Sequence, residues 1–80
     1  MFVLVCVKSK LVESVKYGVL IEAKDMSNVQ AYVKKTYSSI VYDVTTVIGV
    51  KSKEDGYREL QKINTEYCIF PPAEFKTVSI

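Results

Sequence analysis

Apolar positions recur along this chain with two different periods, and the changes of period mark the elements. Phe2-Val3-Leu4-Val5-Cys6-Val7 is apolar without alternation, which is the pattern of a strand buried on both faces at the centre of a covered sheet. Strand one is therefore assigned to Phe2–Lys8. Ser9–Val15 is a polar connection in which Leu11, Val12 and Val15 offer either neighbour room to extend. Tyr17–Ala23 follows as strand two. The short connection favours an antiparallel hairpin with strand one.

The period then changes to that of a helix. Met26, Val29, Tyr32, Val33 and Tyr37 fall near one face of a helical wheel. Two caps are available for its start: Asp25 before Met26, or Ser27 with Gln30 three residues later as a capping box. Lys34 and Lys35 complement the helix dipole in the closing turns. Ile40–Val50 reads as a long half-buried strand, with Ile40, Tyr42, Val44, Thr46, Ile48 and Val50 on one face. A second helix is expected over Lys53–Ile63. Ser52 would cap it and Tyr57, Leu60 and Ile63 would point inward, although Gly56 costs about 1 kcal/mol relative to alanine in a helix interior.

Glu66–Phe70 is the expected fourth strand, stopped by Pro71-Pro72, which cannot donate ladder hydrogen bonds. Phe75–Ile80 alternates apolar and polar residues, as a short edge strand or an exchanged arm would. The order β-β-α-β-α-β, with room for a short C-terminal strand, implies an α+β fold. A small two-layer sandwich is expected, with a mainly antiparallel sheet and the helices on one face. Residues 1–70 form the single domain in this reading and 71–80 its C-terminal arm.

Composition agrees with a globular domain. Apolar residues make up 49% of the 80 residues and charged residues 25%, so the chain has enough apolar material to fold. No apolar run approaches the roughly 20 residues needed to span a bilayer, so no membrane association is expected. Phe2–Val7 lacks the flanks of a signal peptide. Cys6 and Cys68 each lie in an apolar run and read as small buried hydrophobes in a reducing compartment, which points to the cytoplasm of a cell or an infected host.

The inventory of reactive groups is poor. There is no histidine, which removes the commonest general base and the commonest transition-metal ligand. No glycine-rich phosphate loop or paired-cysteine metal motif is present. No catalytic residue, metal site or cofactor is assigned, and an enzyme is not expected. Asp43, set among apolar strand residues, is the most anomalous acid, and a solvated position is favoured for it. Glu54, Asp55 and Glu59 read as a helix first turn and not as a cation site.

The net charge of +2 includes a single arginine, Arg58, so bidentate reading of bases or phosphates is scarcely available. Six tyrosines and no tryptophan leave tyrosine as the principal aromatic, suited to the rim of a small core or to a binding surface.

These observations favour a small protein-binding module acting through a sheet edge or a tyrosine-bearing surface, with self-association as a further expectation. A compact accessory or inhibitor protein of a phage or mobile element fits by type. Phe75, Val78 and Ile80 of the arm, with Tyr17 and Tyr37, are the expected partner-contacting residues. The alternative is a nucleic-acid-binding module using Lys8, Lys10, Lys16, Lys34 and Lys35 with nearby tyrosines.

Overall fold

The computed structural model describes residues 1–80. The chain forms β1 (Phe2–Ser9), β2 (Lys16–Glu22), α1 (Met26–Thr36), β3 (Tyr42–Val50), α2 (Lys53–Glu66) and β4 (Glu74–Ser79). The element order β-β-α-β-α-β and the small α+β domain agree with the sequence pattern. The four strands form one mixed sheet in the order β3-β1-β2-β4. β1 pairs antiparallel with both β2 and β3, and β2 pairs parallel with β4. No helix is long and apolar enough to cross a membrane.

The apolar run of β1 explains its central place. Val3, Leu4 and Val5 are fully buried, and Cys6 and Val7 nearly so. Successive side chains point to opposite faces of a sheet, so the strand needs cover on both sides. The helices supply it from opposite faces, which corrects the expected two-layer arrangement with both helices on one face. Val29 of α1 packs with Val3, Val5, Val7, Val19 and Ile21, whereas Leu60 of α2 packs with Leu4 and Cys6. Helices on one face alone would have left half of the β1 side chains in water. Each such buried aliphatic side chain contributes about 1.5–3 kcal/mol.

The α2 side is locked by a reciprocal fit. Gly18 of β2 lies beneath Leu60, and Gly56 of α2 lies above Leu20. A Cβ at Gly18 would come 2.5 and 2.7 Å from the two Leu60 methyls, and one at Gly56 would come 2.7 Å from a Leu20 methyl. The helix-interior glycine that weakens α2 locally is thus where the helix meets the sheet most closely. Ser52 caps α2, accepting from the Asp55 N–H at 3.2 Å. Asp25 caps α1, accepting from the Asn28 N–H at 3.0 Å and from the Ser27 hydroxyl at 2.7 Å. That second bond commits Ser27 to Asp25, so the Ser27–Gln30 box is not the start of the helix. The same two bonds lower the Asp25 pKa from its ordinary value.

Two further expectations change at the ends of elements. Glu66–Phe70 is not a strand. α2 continues through Glu66, and the Tyr67 N–H closes it on the Ile63 carbonyl at 3.1 Å. Cys68 then takes a left-handed backbone conformation (φ 51°), which no strand accommodates. Glu74–Ser79 takes the ladder position instead.

β3 begins at Tyr42 because the Val41 and Tyr42 N–H groups are held by the Ser38 carbonyl, leaving Ile40 in an exposed turn. Its alternation also breaks. Val7 pairs with Val44 and Cys6 with Thr46, so Thr45 is an inserted bulge residue. Tyr42, Val44 and Val47 therefore share the α1 face, while Thr46, Ile48 and Val50 share the α2 face. Of the six residues expected on one face, Ile40 lies outside the strand and the other five are split between two faces.

Candidate functional site

The two edges of the sheet differ in chemistry. β4 is six residues long, carries Glu74 and Lys76, and follows Pro71-Pro72. Short length, charge and proline are the usual protections of an exposed edge. β3 is nine residues long and is paired only with β1. Its stretch Val44-Thr45-Thr46-Val47-Ile48-Gly49-Val50 contains no charge and no proline. Its outer row of backbone groups has no strand partner, and the bulge at Thr45 is its one irregularity.

The α1 face beside this edge is incompletely covered. α1 sits over β1 and β2, and a groove of about 690 Å³ opens between it and β3. Val44 and Val47 line the groove at 45% and 50% exposure, and Met26 is 37% exposed on its α1 side. The two valines present apolar surface beside the open edge, where side chains stabilise a sheet through what packs on them. Lys34 stands on the α1 wall without an acidic partner, and Lys10 and Asp43 lie at one end, 3.5 Å apart. The Lys10 ammonium also donates to the Ser39 carbonyl at 2.6 Å. Asp43 is half-exposed, on the solvated side favoured for it.

Most of the aromatic residues are partly buried against the core, while Tyr57, Tyr67 and Phe70 are exposed. Tyr17, Tyr37 and Tyr42 form a three-ring cluster with centroids 5.2 to 6.4 Å apart. The Lys76 ammonium covers the Tyr17 ring at 4.0 Å. Burial pushes the Tyr37 phenol pKa up. Tyr57 meets Phe75 edge to face at 5.3 Å. Phe75 packs on the α2-side cluster and Val78 on the α1-side cluster. Ile80 is 45% exposed, and its N–H donates to the Glu22 carbonyl at 2.9 Å. The residues expected to meet a partner thus belong largely to the sheet and its packing, while Tyr67 stands free at 70% exposure.

The basic residues are divided between faces. Lys8 and Lys16 flank a cleft on the α2 side. Lys10 and Lys34 line the groove on the α1 side, and Lys35 is exposed on α1. No single stripe joins them. Glu54 and Asp55 of the acidic trio pair with Arg58 at 3.9 and 3.2 Å. Both thiols are free. Cys6 is buried as expected, and desolvation raises its pKa against a hydrogen bond with Thr46. Cys68 is exposed, a correction that follows from its place in the turn after α2.

Sequence reasoning passed over Val44, Val47 and the α1–β3 groove. The available signal was the contrast between a third strand that is charge-free after Asp43 and a charged, proline-headed last strand. Comparison with family models, with curated proteins and with solved structures gave no match to this chain.

Proposed function

We propose that this protein is a non-enzymatic binding module that captures an extended segment of a partner protein along β3. The added strand hydrogen-bonds to the free edge, and its alternate side chains pack on Val44 and Val47 at the α1–β3 groove. The observation that carries this reading is the coincidence of a nine-residue, nearly charge-free edge with half-exposed valines and an adjoining groove. In strand addition, main-chain hydrogen bonds supply affinity and pockets for alternate side chains supply specificity. The basic Lys34 favours a segment with β-branched or apolar residues at alternate positions and an acidic residue nearby. A module that occupies a partner's extended segment would suit an accessory or inhibitory role.

Selection of random displayed peptides against the folded protein tests this. The enriched peptides are expected to alternate apolar residues, to shift amide resonances of β3 and α1, and to lose binding when alternate peptide nitrogens are methylated. Enriched peptides that map to β4 or survive methylation would overturn it. So would self-association without peptide that Val47→Lys removes, because a second copy would then be the strand donor.

A further inference from the structure

A second cleft, of about 390 Å³, lies on the α2 face. Its volume is within the range of roughly 300–1,000 Å³ typical of small-molecule sites. Cys6 of β1 with Thr45 and Thr46 of β3 form its floor. Leu60, Ile63 and Asn64 of α2 form one wall, and Ile69 and Ala73 of the α2–β4 connection form the other. Lys8 and Lys16 stand beside it.

The charges of this cleft are unbalanced. Lys8 and Lys16 are directly opposed in the β1–β2 ladder and share the α2 face. Like charges in that relation repel and destabilise the pair. No acid lines the cleft. Asp43, the β3 residue opposite Lys8, is engaged by Lys10 at 3.5 Å. Lys8 takes part in no ion pair, and Lys16 reaches only the Phe70 carbonyl at 3.5 Å.

One neutral donor suits the same occupant, because the Thr45 hydroxyl donates to the Cys6 carbonyl at 3.2 Å and Thr46 bonds with Cys6. Asn64 Oδ1 is occupied by the Ala73 N–H at 3.4 Å, which leaves its amide nitrogen free to donate. The bulge brings both Thr45 and Thr46 into the lining, where a regular strand would have offered one of them. Bulges commonly re-aim side chains beside functional sites.

We infer that this cleft binds a small organic anion: its apolar body rests on Ile63, Ile69 and Ala73, and its anionic head lies between Lys8 and Lys16. The ligand supplies the counter-charge that the chain itself lacks there. This site lies across the sheet from the β3 groove and does not depend on strand capture.

Amide-resonance titrations of the intact protein with octanoate, octanol, octylammonium and inorganic phosphate test the inference. Octanoate is expected to bind saturably, shifting Lys8, Lys16, Thr45, Thr46 and Ile63, and to bind about tenfold more tightly than octanol, the scale of two partly exposed ion pairs. Raising salt weakens octanoate and leaves octanol unchanged. Lys8→Gln/Lys16→Gln, which changes only accessible side chains, brings octanoate down to the octanol level with the folded spectrum kept. Equal binding of octanol or octylammonium would overturn the anionic head, and equal binding of phosphate would overturn the apolar body. Octanoate shifts centred on the α1–β3 groove, or none at all, would overturn the site.

Discussion

Substituting Gly18 by alanine places a methyl group 2.5 and 2.7 Å from the two methyls of Leu60 and 3.1 Å from its Cγ, where ordinary contact begins at 3.4 Å. Leu60 is 2% exposed and the whole isobutyl group is in the way, so rotating one bond does not clear it. Either α2 lifts from the sheet or Leu60 leaves its rotamer, at an overpacking cost of about 1–3 kcal/mol. The backbone effect has the opposite sign, since replacing a strand glycine by alanine gains about 0.5–1 kcal/mol. Equilibrium urea unfolding should therefore show a net loss near 1–2 kcal/mol, a midpoint shift of about 1–2 M at a slope of about 1 kcal/mol/M.

The sign should invert when Leu60 is removed. Leu60→Ala alone costs about 2–5 kcal/mol, and in that background Gly18→Ala should stabilise. Gly56→Ala meets only one methyl of Leu20 closely, and its helix gain of about 1 kcal/mol should leave it milder than Gly18→Ala. A Gly18→Ala variant that stabilises the wild-type chain, or that costs the same with and without Leu60, would refute the interlock.

Three other outcomes follow from particular groups. Asp25 has a lowered pKa because it accepts from Ser27 and Asn28, so its capping contribution is complete above the ordinary value of 3.8 and is lost as pH falls through the lower folded-state value. Asp25→Ser should keep a cap but lose that acid-dependent part, measured as helicity against pH. Ser52→Ala should cost about 1 kcal/mol in the same urea assay, because the Asp55 N–H loses its acceptor. Cys68 should react with a thiol reagent at once in the native state and Cys6 only on unfolding, given exposure of the one and burial with a raised pKa in the other; equal rates would contradict the placement of both.

Much of the scaffold was legible because local chemistry and tertiary context agree. The apolar run of β1, the hairpin to β2 and the Ser52 cap all follow from residues within a few positions of one another. The side occupied by each helix was less visible, although an all-apolar central strand already demands two covers. The interlock of Gly18 and Gly56 with leucines from another element has no local signature. In isolation Gly56 reads as a weak point of its helix. The Thr45 bulge was hidden for a related reason, since alternation by sequence position assumes a ladder without insertions. The tail and the Glu66–Phe70 run compete as strands by pattern alone. Continuation of α2 and the left-handed Cys68 decide between them. The open edge was missed because exposure of Val44 and Val47 depends on where α1 comes to rest, a packing result that no single strand encodes.

Strand capture at β3 is tested most directly by amide hydrogen exchange on the free protein and on its complex with a selected peptide. The account predicts that outward-facing amides of Tyr42–Val50 exchange readily in the free protein and become protected on binding, while those of Glu74–Ser79 are unchanged. Protection confined to β4, or β3 amides that exchange equally fast in both states, would contradict it.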